Sequence, residues 1–277
     1  MFSRVMLAMD MSEPTEQLLT AFYSLCPGLE TQIYLLHVVE DAEEASPESG
    51  YFKKTYSQLQ GYEKDLHKAG YDNVKIIWSQ NEVLDGIATA VTEYDINLLM
   101  LVSHGKGLFK STLMGSTTFD VARATEVPTV IVKGEPREDY LDRILVPTDF
   151  SKKSLLSLNV IRSLREHVGE VVFIHVIERW RSEEKLREKT EVAKAMLQEL
   201  VDEMRSFDIQ ARYIIEEGPA SKAICHLARV ERCSLIFTAK TGAGLVQGLL
   251  MGSTAQNITL NSDCSLFIMP EEIYEDE

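Results

Sequence analysis

The pentapeptide LMGST occurs twice in this chain, at residues 113–117 and again at 250–254, 137 residues apart. Its surroundings repeat as well. RVMLAMDMS from Arg4 aligns with RILVPTDFS from Arg143, and IYLLHVVE ending at Glu40 aligns with VVFIHVIE ending at Glu178. SHGKGLFKSTLMGST aligns with KTGAGLVQGLLMGST, and EVPTVIVK from Glu126 aligns with DCSLFIMP from Asp263. Four blocks in one order, at offsets drifting from 139 to 137, indicate a duplicated domain. The join falls in the polar stretch KGEPREDYLD, residues 133–142, which carries Gly134 and Pro136. The expected domains are therefore 1–136 and 137–277.

Composition agrees with two globular domains. The chain has 277 residues, about twice the commonest domain size, and 45% of them are hydrophobic, enough for a sizeable core in each half. A net charge of −15, negative in both halves, argues against a nucleic-acid backbone or an anionic membrane as partner. It leaves room for a small phosphate ligand held by local N–H groups. Cys26, Cys225, Cys233 and Cys264 form no Cys-x-x-Cys pair, and three of them fall in one half, so reduced thiols are expected. The amino terminus lacks the apolar stretch of a secretion leader, and no run approaches membrane-spanning length. The expected location is the cytoplasm.

Each half reads as the same alternation of strands and helices. Continuous apolar runs predict strands buried on both faces at 5–9 and 144–146, 33–39 and 171–177, 74–78 and 211–215, 98–102 and 235–239, and 129–133 and 266–269. Between the second and third strands, Leu186, Ala193, Leu197, Leu200 and Met204 recur at helical spacing, as do Phe52, Tyr56, Leu59 and Leu66. These predict core-facing stripes. Such alternation implies right-handed crossovers and an open parallel sheet covered by helices on both faces. In that architecture ligands bind beyond the carboxyl ends of the strands, where strand order reverses.

Two features recur at those ends. An Asp closes the first strand, Asp10 in AMDMS and Asp149 in PTDFS, suited either to cap the next helix or to accept from a ribose hydroxyl or base amine. After the fourth strand, Gly105 and Gly115 have nine residues between them and Ser116 and Thr117 follow; Gly242, Gly252, Ser253 and Thr254 repeat the pattern. A Gly-Ser-Thr step at a helix start offers free N–H groups and hydroxyls to an anion, and it equally forms an ordinary cap.

This constellation resembles the universal stress protein family, over nearly the whole chain as two fused modules. The resemblance rests on ILVPTDFS, HVIE and the paired LMGST blocks. It implies two tandem open five-stranded parallel-sheet α/β sandwiches of the adenine-nucleotide alpha-hydrolase-like, Rossmann-like kind, related by a pseudo-two-fold axis. It also implies ATP or AMP as ligand, with Mg allowed beside it. The family's nucleotide binders carry Gly-x2-Gly-x9-Gly-[Ser/Thr], and here the first glycine is replaced by Val102 and Ala239. Ala adds one methyl at the pocket floor and Val a branched side chain, so the second half is expected to be the better site.

Carried over residue by residue, the adenine and ribose contacts fall on Pro147, Thr148, Asp149 and Val176, with Ala8, Met9, Asp10 and Val38 in the first half. The phosphate contacts fall on Thr238, Ala239, Gly242, Gly252, Ser253 and Thr254, with Leu101, Val102, Gly105, Gly115, Ser116 and Thr117 as counterparts. Val38 and Val176 would act through their backbones. Lys240, and Lys106 and His104 in the first half, are expected to face water, with a phosphate as their other assignment.

Other chemistries fit less well. Neither DMSEPT nor DFSKKS has the glycines of a dinucleotide turn, and in GKGLFKST the residue before Lys110 is Phe109 rather than the P-loop glycine. The six histidines show no metal-ligand spacing, and His37 and His175, matched on the second strands, are expected to be packed or hydrogen-bonded. The expected function is regulatory adenine-nucleotide binding with at most weak ATP hydrolysis; the alternative is a stress-response protein-interaction module without nucleotide. The resemblance also implies a chain that pairs its last strands internally and forms a homodimer through sheet edges. Residues 40–49, EDAEEASPES, are expected to be disordered, with a mobile loop beside the first pocket as the other reading, and the tail 271–277 frayed.

Overall fold

The structure, a computed structural model, describes residues 2–11, 15–103, 115–134, 137–242 and 251–270. The chain divides into two compact units, the first closing at Val132 and the second opening at Lys133. The first unit runs β1 (Arg4–Ala8), α1 (Thr15–Leu25), β2 (Gln32–Val39), α2 (Ala42–Ala45), α3 (Gly50–Lys68), β3 (Val74–Gln80), α4 (Val83–Glu93), β4 (Leu98–Val102), α5 (Ser116–Ala124) and β5 (Thr129–Val132). The second runs β6 (Arg143–Pro147), α6 (Lys152–Leu155), α7 (Ser157–Ser163), β7 (Glu170–Ile177), α8 (Glu183–Ser206), β8 (Gln210–Glu217), α9 (Ala220–Val230), β9 (Leu235–Ala239), α10 (Ser253–Asn261) and β10 (Ser265–Met269).

Within the first unit the strands are parallel in the order β3-β2-β1-β4-β5. The second unit repeats this as β8-β7-β6-β9-β10. The middle strands carry mostly apolar sequence, because helices cover both their faces: LLMLV of β4 is buried throughout, and LIFTA of β9 is buried in all but its last residue. Val5–Leu7 and their equivalents Ile144–Val146 are completely buried. β3, at one end of the order, is only half-buried. The chain winds outward from β1 to β3, then returns to lay β4 on the other side of β1. That reversal opens a crevice between the carboxyl ends of β1 and β4, and another between those of β6 and β9.

The long helices follow the stripes. In α8 the buried residues are Ala193, Leu197, Leu200, Val201 and Met204, while Leu186, near the amino end, is half-buried. Ser182 caps α8 by accepting from the Lys185 N–H, Glu183 and Glu184 occupy its first turn and Arg205 its last, each charge placed to suit the helix dipole. In α3, Leu59 and Leu66 are buried and Phe52 and Tyr56 pack with Trp78 of β3. Residues 40–49 depart from the expected disorder. Asp41 accepts from the N–H groups of Glu43 (2.7 Å) and Glu44 (3.1 Å), which nucleates the single turn α2, and two glutamates at its start suit the dipole. The tail 271–277 lies outside the described residues. No described helix is long and apolar enough to cross a membrane.

Lys133 was expected to close the strand of the first half; the strand ends at Val132 and Lys133 is built into the second unit. Its N–H donates to Ser265 Oγ (3.0 Å), and its ammonium donates to the carbonyls of Thr259 and Ser262 at the carboxyl end of α10. A cation there satisfies two carbonyls that the helix cannot. Burial nonetheless pushes its pKa down to about 8, against an ordinary lysine value near 10.4 in the unfolded chain. The cost of burying the charge is therefore fully felt below pH 8 and vanishes as the pH rises toward 10.5. Chemical denaturation of wild type and Lys133→Met in parallel should show the difference moving in favour of wild type across that interval, by about 3 kcal/mol. A difference that stays flat with pH would mean that the ammonium is not buried at a cost.

Candidate functional site

Among the described residues, the turn after the first strand shares three features in the two units: a ladder bond, a left-handed residue and a supporting histidine. In the second, the Thr148 N–H continues the ladder to the Ile174 carbonyl (2.9 Å) and its Oγ1 accepts from the Phe150 N–H (2.9 Å). Asp149 Oδ1 accepts from the Ser151 N–H (3.0 Å) and from the Ser151 hydroxyl. The helix cap proper is Ser151, which accepts from the Ser154 N–H, so Asp149 shapes the turn rather than capping the helix. The residue after each Asp takes a left-handed backbone, Met11 at φ 59° and Phe150 at φ 63°. A side chain at such a φ costs on the order of 1–3 kcal/mol and needs neighbours that enforce it.

A histidine on the second strand is one such neighbour. His37 Nδ1 lies 2.6 Å from the Met9 carbonyl oxygen, and His175 Nδ1 lies 2.9 Å from that of Thr148. A carbonyl can only accept, so Nδ1 carries the proton in both rings. Phe150 stacks on His175 with centroids 4.5 Å apart. The matched histidines are hydrogen-bonded, as the repeat suggests, and the bond fixes the carbonyl just before each Asp.

The Gly-Ser-Thr step starts the last helix in both units, with Gly115 (φ −62°) and Gly252 (φ −69°) as N-caps. These are ordinary extended angles, so the backbone does not demand glycine here. The glycine N–H groups are already engaged: that of Gly115 donates to the Ser103 carbonyl (3.0 Å) and that of Gly252 to the Lys240 carbonyl (2.9 Å). The first intrahelical bond of α10 runs from Gln256 N–H to the Gly252 carbonyl, so the N–H groups ahead of that ladder are those of residues 253–255.

The carried-over residues meet at the strand-order reversals. A cleft of about 480 Å³ in the second unit is lined by Pro147, Thr148, Asp149, Val176, Thr238, Ala239, Gly242, Gly252, Ser253 and Thr254. A cleft of about 420 Å³ in the first unit is lined by Ala8, Met9, Asp10, Val38, Leu101, Val102, Gly115, Ser116 and Thr117. Gly105, with His104 and Lys106, lies outside the described residues. The two clefts differ in character. Where the second presents Thr148, Thr238 and Ala239, the first presents Met9, Leu101 and Val102, all three buried at its floor.

Several lining residues were not read from the sequence as site residues, among them Ser154, His175, Glu178 and Thr241. Glu178 had a signal, since it closes the repeated HVIE block. Its Oε1 accepts from the Ala220 N–H (2.9 Å) at the start of α9, and Glu40 does the same for Val83 (3.4 Å) at the start of α4. Lys240 departs from expectation: its side chain is buried rather than facing water. The four cysteines are free thiols, and burial raises the pKa of each.

Gly242 and Asp149 stand close together in the lining of the second cleft. A Cβ added at Gly242 would stand 2.7 Å from Asp149 Oδ2 and force that carboxylate away from Ser151. Gly242→Ala should therefore lower the unfolding free energy by about 1 kcal/mol, through the two bonds of Asp149 that it disturbs. In an Asp149→Ala background the same substitution should cost almost nothing. A double-mutant cycle by urea denaturation measures this, and additive effects would mean that the two residues do not press on each other.

With the fold and both clefts in view, the chain can be set beside known proteins. No curated protein matches it. Among solved structures, a universal stress protein from Archaeoglobus fulgidus DSM 4304 is 24% identical and superposes with a TM-score of 0.69, covering 98% of this chain and 99% of its own. A putative universal stress protein from Pseudomonas aeruginosa UCBPP-PA14, 13% identical, superposes with a TM-score of 0.74 over 97% of this chain and 93% of its own. A functionally unknown protein from Pseudomonas aeruginosa PAO1, 14% identical, gives 0.72 over 98% and 94%. These likenesses establish the fold. The model of the Universal stress protein family matches twice, over residues 1–133 and 141–270, which between them take in most of the chain. This tandem chain belongs to the universal stress protein family.

Proposed function

We propose that the chain is a cytoplasmic regulatory protein that binds an adenine nucleotide, ATP or AMP, in the cleft of its second unit. The observation that carries this reading is the convergence of the Asp149 turn, Gly242 and the Gly252-Ser253-Thr254 step on one cleft at a strand-order reversal. Its 480 Å³ suits a ligand of nucleotide size, and its walls combine apolar surface with a few polar groups. Val176 and Ile224 offer a face for the base, Asp149 an acceptor for a ribose hydroxyl, and the start of α10 a set of donors for phosphate.

The first cleft keeps the same loops but not the same chemistry. Val102, Leu101 and Met9 replace small or hydroxylated residues along its floor, which removes donors and narrows the approach. We therefore assign nucleotide to the second cleft in preference to the first. Mg is an optional companion of the ligand, held through its phosphates. A homodimer, which the family likeness suggests, is to be tested by sedimentation equilibrium, where a single monomer mass would reject it.

Calorimetric titration of the nucleotide-stripped protein with ATP and with AMP tests the reading. One site per chain is expected, abolished by Gly252→Val. That variant is a clean probe, because the backbone angle at Gly252 suits any residue and an added Cβ would lie 3.6 Å from the Lys240 carbonyl oxygen and Thr241 Cα, an ordinary contact. The valine branches would instead fill the space assigned to phosphate. Two sites per chain would extend nucleotide binding to the first cleft despite Val102. No heat with either nucleotide would favour the protein-interaction role, with the glycine steps serving only as helix starts.

A further inference from the structure

We propose that Lys153 is the cation that neutralises the phosphates of the nucleotide in the second cleft, and that its absence from the first half confines phosphorylated ligands to the second. The inference rests on the nucleotide reading above and names a residue that the motif does not contain.

Three observations carry it. The first is position. Lys153 lies on α6, directly after the Asp149 turn, and its Nζ donates to Thr241 Oγ1 at 3.2 Å. Thr241 lines the cleft, and its Cα would stand 3.6 Å from a Cβ on Gly252. The ammonium is thus held against the piece of cleft wall that abuts the start of α10. A lysine stem is long and flexible enough to turn from a hydroxyl to a phosphate oxygen without moving the backbone.

The second observation is charge. Asp149 and Glu178 line the cleft, and among its described lining residues there is no lysine or arginine. In a chain of net charge −15, a triphosphate entering beside two carboxylates needs a nearby cation. The N–H groups of a helix start supply only partial charge. Lys153 is half-buried, where its attraction for an anion is screened less than at an open surface.

The third observation is the internal comparison. DFSKKS at 149–154 aligns with DMSEPT at 10–15, so Lys152 and Lys153 face Glu13 and Pro14 in the alignment. Proline has neither charge nor donor, and the glutamate reverses the sign. The same half carries Leu101 and Val102 where the second has Thr238 and Ala239. Two sets of differences, one in the sequence after the Asp turn and one at the cleft floor, disfavour phosphate in the first cleft.

The test is calorimetry on the full-length chain with ATP, AMP and adenosine, comparing wild type with Lys153→Met, Lys153→Gln and Lys153→Arg. Glutamine keeps a donor for Thr241 but not the charge, which separates neutralisation from packing. The expected result is a loss of ATP affinity of about tenfold or more in the Met and Gln variants, a smaller loss for AMP, and unchanged adenosine binding. Arginine should retain ATP, and added salt should weaken ATP binding less in the neutral variants than in wild type. The assignment is overturned if the neutral variants bind ATP as wild type does, or if adenosine weakens as much as ATP. Wild type that binds none of the three ligands would overturn the nucleotide reading itself and this assignment with it, whereas wild type that binds ATP equally well without the lysine charge overturns only Lys153.

Discussion

Parallel strands cannot be joined by a tight turn, and everything in this chain follows from how it meets that constraint. Each strand must be carried back by a helix, so both faces of the sheet are covered and the middle strands lose contact with water. The chain then has to switch sides once, after β3 and again after β8, to complete each sheet. At the switch a cleft opens beyond the carboxyl ends of β1 and β4, and another beyond those of β6 and β9. The gap is a by-product of the winding, and the sequence that borders it is free to acquire chemistry. The Asp turn and the Gly-Ser-Thr step are what this chain has put there.

The gap is useful only if its borders are stiff. Each Asp turn includes a residue with a side chain in the left-handed region, an arrangement that would relax if left alone. It is held from two sides, by the strand ladder before it and by a histidine that donates to the carbonyl just ahead of the Asp. Glu40 and Glu178 play the matching part on the other rim, where they satisfy the first N–H groups of α4 and α9. The HV-I/V-E block therefore serves two purposes: its histidine supports the turn and its glutamate the neighbouring helix.

Much of this was legible because the chain states it twice. The strands were readable as apolar runs, and their ends moved by at most two residues, most often where a hydrogen-bonded ladder extends past the buried segment. The largest shifts are at β3 and β8, which run two residues further, to Gln80 and Glu217, where polar residues continue a ladder that hydrophobicity cannot reveal. The position of the clefts was legible from topology, and their lining from the repeated loops. What sequence could not give was the use of individual polar atoms. That the Gly252 N–H is spent on a carbonyl, that Lys240 is buried, and that Lys133 belongs with α10 all depend on distances across the fold. Residues 40–49 misled because their composition suggests solvation, whereas one well-placed aspartate side chain was enough to start a helix turn.

The two histidines also give the halves different optical properties. In the strand register His37 faces Trp78, with ring centroids 5.1 Å apart, whereas His175 faces Ile215. The chain has two tryptophans, and the other, Trp180, is 40% exposed. Trp78 is wedged among His37, Tyr51 and Phe52 in a half-shielded aromatic cluster, whereas Trp180 is partly open to solvent. Through His37 the indole is one hydrogen bond away from the turn that borders the first cleft. The molecule thus carries an intrinsic fluorophore packed on the histidine that supports the turn beside its first cleft.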